Sequence, residues 1–222
     1  MGGDREIVYG RRPVAEARRG RRAVRRVWTR DELDDRELTR LAGSPDHQGI
    51  VAEVDPYPYA DPASPLQGDD ALVVALDGVQ DPRNLGAICR SAEAAGAAGV
   101  VIPTRRSAAI TAAACKAAAG AVEHLPVARV ANLERWLAGA KDAGAWVYGA
   151  DAAAPGRYTE ADLTGKVVLV VGGERSGLRR LVAERCDLLV SIPIGGRVGS
   201  LNVGAAAAVL LFEAVRQRGG KA

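Results

Sequence analysis

Ala71–Arg90 reads ALVVALDGVQDPRNLGAICR. It opens on an unbroken apolar run, Ala71–Leu76, rich in valine and leucine. A strand apolar on both faces is covered on both sides, as in a parallel sheet. The run stops at Asp77-Gly78, and a helix is expected over Leu85–Ala95. This is one strand–loop–helix unit, and the pattern repeats toward the C-terminus. Further strands are expected at Gly99–Ile102, Leu125–Arg129, Ala145–Gly149, Val167–Val171 and Leu188–Ile192. Further helices are expected near Ser107–Ala119, Leu133–Ala143 and Leu178–Cys186, with a last one over about Leu201–Arg218. Repeated βα units imply an open, doubly wound α/β sheet.

Upstream of this unit lies Asp55–Asp70, DPYPYADPASPLQGDD. Its prolines, Pro56, Pro58, Pro62 and Pro65, cannot sit inside a helix or a central strand. The stretch reads as an extended linker, residues 55–70. It divides a small N-terminal α/β domain, residues 1–54, from a larger domain, residues 71–222. In the small domain, strands are expected at Glu6–Tyr9, Val24–Thr29 and Ile50–Val54. A short helix fits Pro13–Arg19, with proline in its first turn. A second fits Asp31–Leu41, where Leu33, Leu38 and Leu41 share a face. So short a piece makes a marginal core.

Composition narrows the function classes. The 222 residues are 48% hydrophobic and 26% charged, the balance of a soluble globular protein. No apolar run is long enough for a transmembrane helix. The charged N-terminus argues against a secretory signal peptide. Cys89, Cys115 and Cys186 are far apart and lack CxxC spacing, which fits a reducing cytoplasm rather than a disulfide framework or zinc site. His47 and His124 are too few for a histidine-based metal centre, and no metal is expected. The formal net charge is only +3, but the 30 basic residues are unevenly placed. Nine arginines fall between Arg11 and Arg30, against one acid, Glu16. Such a block is either a footprint for nucleic-acid phosphate or a solvated helix face.

In a parallel sheet, ligands bind beyond the carboxyl ends of the strands. Three strand ends here run into unusual loops: Asp77–Arg90, Gly172–Gly177 (GGERSG) and Ile192–Asn202 (IPIGGRVGSLN). Each combines glycines, which permit close backbone approach, with polar groups able to act on a ligand. Val171–Gly177 lacks the G-x-G-x-x-G spacing of a dinucleotide site and follows a late strand. A Walker A sequence is absent, and neither histidine neighbours a nucleophile motif. Hydride transfer, NTP hydrolysis and triad hydrolysis are therefore disfavoured.

The three loops, in this order and near this spacing, resemble the three motifs of the SpoU (TrmH) family of RNA 2′-O-methyltransferases, in the SPOUT superfamily. N-x-G-x-x-x-R is present as Asn84, Gly86 and Arg90. G-x-E-x-x-G is present as Gly172, Glu174 and Gly177. I-P…S-L-N-V is present as Ile192, Pro193, Ser200, Leu201, Asn202 and Val203. In the N-terminal piece, Val8–Val14 (VYGRRPV) and His47–Val51 (HQGIV) are similar to the branch that methylates a guanosine of 23S ribosomal RNA. One departure stands out. Only 18 residues, Thr29 to Asp46, separate Trp28 from the His-Gln-Gly stretch, where that branch usually has a further helix and strand. The RNA-recruiting domain is thus either trimmed or short of a loop.

The resemblance implies methyl transfer from S-adenosyl-L-methionine to a ribose 2′-hydroxyl. It also implies a catalytic domain with a C-terminal trefoil knot and a homodimer whose interface completes each active site. Arg90 is the family's catalytic arginine by position. Arginine resists deprotonation, so fixing the target's phosphate and hydroxyl suits it better than acting as a free base; bidentate contacts serve that role. The alternative is a helix-surface salt bridge. Asn84 braces the motif-one loop or caps the helix at Leu85. Glu174 orients active-site groups or is a solvated loop acid. Ser200 and Asn202 place the ribose; the less favoured alternative is that Ser200 simply caps the last helix.

The resemblance gives cofactor contacts to Gly172, Ile192 and Leu201, with Thr104 and Gly196 as weaker candidates. RNA contacts are expected at Arg11, Arg12, Arg18, Arg22, Arg83, Arg175 and Arg197. The apolar stretch Ala205–Val215 fits an interface helix or a buried core helix equally. Two other readings compete with ribosomal RNA methylation: a transfer-RNA 2′-O-methyltransferase, and a non-catalytic RNA-binding assembly factor.

Overall fold

A computed structural model describes residues 5–174, 176–197 and 199–219 of the chain. These fall into two compact units that interleave along the sequence. One comprises the described residues up to Pro58 together with Pro82–Arg90 and Ala109–His124; the other comprises Tyr59–Asp81, Ser91–Ala108 and the residues from Leu125 onward.

The first unit is built on a three-stranded antiparallel sheet of β1 (Glu6–Tyr9), β2 (Val24–Thr29) and β3 (Ile50–Val54), in the order β1-β3-β2. All three strands lie where the sequence places them. Helix α1 (Arg11–Ala17) starts two residues earlier than its proline suggests. Helix α2 (Asp35–Ala42) starts later than expected, because Asp34 caps it. The Asp34 carboxylate accepts from Arg36 N and Glu37 N, and the Glu37 carboxylate accepts from Asp34 N. This is a capping box, and it outweighs apolar spacing in fixing the start. Tyr9, Trp28, Leu38, Ala42 and Val51 form the core, joined by Ala112. Ala112 begins helix α4 (Ala112–Ala117), a strip of the expected Ser107–Ala119 helix.

The first unit also holds the first nine residues of α3 (Pro82–Ala94). Gly86 on α3 meets α4 backbone to backbone. A β-carbon there would lie 2.4 Å from the Ala114 carbonyl oxygen and 2.9 Å from Ala118 N. The glycine of motif one thus serves helix packing.

The second unit holds a seven-stranded sheet, in the order β6-β5-β4-β9-β7-β10-β8. Its strands are β4 (Leu72–Asp77), β5 (Gly99–Pro103), β6 (Val127–Val130), β7 (Trp146–Ala150), β8 (Gly156–Arg157), β9 (Val167–Gly172) and β10 (Leu188–Ser191). Every pairing is parallel, so the expected fold class holds. The central pair, β4 and β9, runs in register from Leu72↔Val167 to Asp77↔Gly172. Val73, Ala75, Val168 and Val170 lie in the core with Leu133 and Leu137 of α5 (Leu133–Asp142). Helix α6 (Arg180–Ala183) is a single turn, and α7 (Val203–Gln217) follows β10. The chain walks from β4 to β6 on one side, crosses to β7, and then inserts β9 between β4 and β7. That reversal is a topological switch point, where open α/β sheets bind ligands.

The stretch 55–70 departs from the expected extended linker. In the first unit, the buried Tyr57 donates its hydroxyl to the Val122 carbonyl at 2.9 Å. In the second, Ala60 N donates to Val127 O at 2.9 Å, Trp136 Nε1 donates to Pro62 O at 2.8 Å, and Ser64–Leu66 forms a 3-10 turn. Prolines forbid ladder donation, but they do not forbid packing of their rings and carbonyls. Pro65 is buried.

Candidate cofactor pocket

The ends of β7, β9 and β10 enclose a cavity of about 310 Å³ in the second unit. Its floor is apolar, with Val171, Val190 and Val203 all buried. Gly172, Gly173 and Gly177 line one wall, Ile192 and Ile194 another, and Ser200 and Leu201 close it at the approach to α7. Asp151 and Glu174 are its two carboxylates. Five of the sequence-predicted residues therefore converge here: Gly172, Glu174, Ile192, Ser200 and Leu201. They come from motifs two and three, which are separated in sequence but adjacent in space because β9 and β10 both flank β7.

Motif two owes its glycines to the loop's own folding. A β-carbon on Gly172 would lie 2.1 Å from Gly177 C and 2.4 Å from Leu178 N. Gly177 N donates to Gly173 O at 3.0 Å, closing the loop on itself. Gly177 has φ +59°, which glycine adopts at no steric cost. A β-carbon on Gly173 would lie 2.4 Å from Gly78 O. The loop thus seats against the segment after β4, where Gly173 N also donates to Asp77 O at 2.8 Å.

Two local expectations need correction. Asn202, and not Ser200, caps α7: its side-chain oxygen accepts from Gly204 N at 2.9 Å and Ala205 N at 3.3 Å. Asn84 does not cap α3, because that helix already starts at Pro82. Proline is suited to a first helical position, and this moves Asn84 inside the first turn. Arg90 projects from α3 as an exposed residue of the first unit, with Asn84 on the same helix. Neither lines the pocket.

The arginines expected to contact RNA divide. Arg11, Arg12, Arg18, Arg83 and Arg197 lie at the surface. Arg175 lies outside the described residues. Arg22 is buried, with its side chain only 1% exposed, so it cannot meet a phosphate. It holds the equally buried Glu123, and donates to Glu6 at 3.0 Å and to Cys115 Sγ at 3.5 Å. Burial is the largest single influence and opposes the Arg22 charge, yet the hydrogen bonds and charge of Glu123 together with the contact to Cys115 outweigh it and raise the pKa. Other members of the arginine block are also paired, Arg19 with Glu16, Arg25 with Asp55 and Arg30 with Asp35. The block is therefore less cationic than its composition implies. Thr104 and Gly196 are exposed and do not line the pocket.

Sequence reasoning missed Ala150, Asp151 and Ala152, which line the pocket at and just after the end of β7. The signal was present, since they too follow the carboxyl end of a strand beside β9. Among the described residues, no cluster of His, Cys, Asp or Glu could hold a metal ion, and no helix is long and apolar enough to cross a membrane.

Residues 71–212 match the model of the SpoU rRNA Methylase family. The chain belongs to this family. It is 44% identical to an uncharacterized tRNA/rRNA methyltransferase of Mycobacterium sp. (strain KMS), over 96% of this chain and 77% of that protein. It is 39% identical to an uncharacterized tRNA/rRNA methyltransferase of Synechocystis sp., covering 96% of this chain but only 63% of the relative's length. Among solved structures, the SpoU methyltransferase AviRb from Streptomyces viridochromogenes, in complex with the cofactor AdoMet, superposes with a TM-score of 0.81. The two are 29% identical, over 97% of this chain and 91% of AviRb.

Proposed function

We propose that the protein transfers a methyl group from S-adenosyl-L-methionine to the ribose 2′-hydroxyl of a guanosine in 23S ribosomal RNA. The observation that carries this reading is the convergence of motifs two and three on one pocket, in a chain of the SpoU family. The pocket's chemistry suits the methyl donor. Its apolar floor can take a flat heteroaromatic ring, backbone groups at the strand ends offer hydrogen bonds, and Asp151 and Glu174 complement a cationic sulfonium. When bound, the donor supplies an electrophilic methyl carbon.

The chain's own residues do the rest. Gly172, Ile192 and Leu201 hold the donor, while Ser200 and Asn202 place the ribose. Arg90 fixes the target's phosphate and hydroxyl; as the new O–C bond forms the donor's S–C bond breaks, leaving a neutral thioether, and the hydroxyl proton passes to solvent. Asn84 braces Arg90. Arg11, Arg12, Arg18, Arg83 and Arg197 collect RNA phosphate. A homodimer that completes each site, a knotted C-terminal segment and an RNA-recruiting N-terminal domain over residues 1–54 belong to the same proposal. A transfer-RNA substrate is the second reading, favoured by the relatives' description as tRNA/rRNA methyltransferases.

The test is methyl transfer from labelled S-adenosylmethionine, with 23S ribosomal RNA and transfer RNA as separate substrates. Wild-type protein labels 23S RNA, and Arg90→Ala loses transfer while keeping cofactor binding. Full activity in Arg90→Ala contradicts the assigned role, and labelling of transfer RNA alone replaces the substrate.

A further inference from the structure

A second cavity, of about 530 Å³, opens over the carboxyl ends of β4, β5 and β6. It is larger than the cofactor pocket and different in character. Arg105 and Arg106 stand at its rim, exposed and without an ion pair among the described residues. They sit on a short loop pinned at both ends: Thr104 N donates to Val130 O at 2.8 Å, and Ala108 N donates to Val79 O at 2.8 Å. Arg106 has φ +56°, a left-handed conformation uncommon outside glycine. Such backbone strain concentrates at functional sites. The third arginine, Arg179, is already committed. The buried Asp77 carboxylate accepts from Arg179 N at 2.8 Å and from Arg179 Nε at 2.6 Å, and Glu134 lies 3.6 Å from Arg179 Nη1. Two carboxylates therefore balance Arg179, and the cleft's available positive charge comes from Arg105 and Arg106.

The two cavities adjoin. Both are lined by Ser176, and Asp77 on β4, which lines the cleft, is the register partner of Gly172 on β9, which lines the cofactor pocket. A strand with its reacting ribose at the cofactor pocket would carry its neighbouring nucleotide over this cleft.

We propose that the cleft binds the phosphate backbone of single-stranded RNA next to the methylated nucleotide, with Arg105 and Arg106 as its phosphate contacts. This deepens the methyl-transfer reading and rests on it. Guanidinium groups suit phosphate because their planar fork contacts it through two parallel hydrogen bonds.

The test measures binding alone, by fluorescence anisotropy of a labelled single-stranded RNA against salt concentration. Removing two phosphate contacts lowers the slope of log K against log salt by about 1.4. For the double variant Arg105→Ala and Arg106→Ala, the affinity loss therefore grows about sevenfold on going from about 200 to about 50 mM salt. Calorimetry should show unchanged S-adenosylmethionine binding. The double variant Arg157→Ala and Arg185→Ala removes the same charge from exposed positions outside the cleft, and it should keep the wild-type slope. A wild-type slope in the cleft variant overturns the inference and leaves the methyl-transfer reading standing. Equal slope losses in both double variants reduce the effect to general charge and also overturn it. Competition by guanosine monophosphate as strong as by RNA would mark a small-molecule site instead. Wild-type protein that binds no RNA overturns the functional reading and this inference together.

Discussion

Gly172→Ala puts a methyl group where the second motif folds back on its strand. The added carbon would lie 2.1 Å from Gly177 C and 2.4 Å from Gly177 O, against an ordinary contact of at least 3.4 Å. Relieving the closer contact requires a displacement of roughly 1.3 Å, the difference between those distances. The strand side is poorly placed to move, since Gly172 ends a parallel ladder with β4 that starts at Leu72↔Val167. Relief therefore falls on the Gly173–Leu178 loop, which loses its Gly177 N to Gly173 O hydrogen bond. Forcing one methyl group into a packed site costs about 1–3 kcal/mol. The loop walls the candidate cofactor pocket, so most of that cost should appear in binding, as an S-adenosylmethionine Kd about 10- to 100-fold weaker. Isothermal calorimetry on the two proteins reads this directly, with circular dichroism confirming the fold. Gly139→Ala is the companion variant. Gly139 lies on α5, and a β-carbon there would meet nothing within 4 Å. The substitution should raise stability by about 0.5–1 kcal/mol. A wild-type Kd and wild-type Tm in Gly172→Ala would refute the reasoning, because the close approach would then not shape the pocket.

Among the described residues, Glu123→Gln leaves the buried Arg22 charge with only the half-exposed Glu6 as an ionic partner, and should cost about 3 kcal/mol in urea unfolding; a midpoint unchanged from wild type contradicts this. Gly86→Ala drives a β-carbon to 2.4 Å from the Ala114 carbonyl oxygen and should lower stability by about 1–3 kcal/mol, with no loss as the refuting result. Hydrogen bonds from Arg216 and Gln217 hold the Glu213 carboxyl down to about 2, from an ordinary value of 4.5. Because this pKa is lower in the folded chain, the stabilisation is complete above the unfolded value and is lost as pH falls from 4.5 toward 2. Unfolding at about pH 6 and about pH 3 should therefore show a smaller acid-side loss in Glu213→Gln than in wild type, and equal losses would contradict the pairing.

Much of the fold was legible because buried parallel strands carry their own signal. Valine-rich runs such as Val167–Val171 have no other ready reading, and β9 indeed lies at the sheet's centre. The strand β8 was invisible, since Gly156–Arg157 is two residues with no apolar pattern and pairs only with β10. Helix α6 is one turn, Arg180–Ala183, where the apolar spacing suggested more. The pocket was legible through its glycines, although ligand approach is not their first role. Gly172 and Gly173 are required above all by the loop's contact with protein backbone. Arg22 looked like an RNA contact because its partner Glu123 is distant in sequence, and composition cannot distinguish a solvated arginine from one that tertiary structure buries. Arg105 and Arg106 are the converse case. Nothing in a two-arginine loop marks it until β4, β5 and β6 bring it to the rim of a cavity.

The central claim is ribose methylation of 23S ribosomal RNA, and nucleoside mass spectrometry of that RNA from strains with and without the gene tests it most directly. Loss of one 2′-O-methylguanosine from 23S RNA in the strain lacking the gene, restored by the wild-type gene and not by Arg90→Ala, is the predicted result. An unchanged set of 2′-O-methyl nucleosides in that RNA would contradict the account.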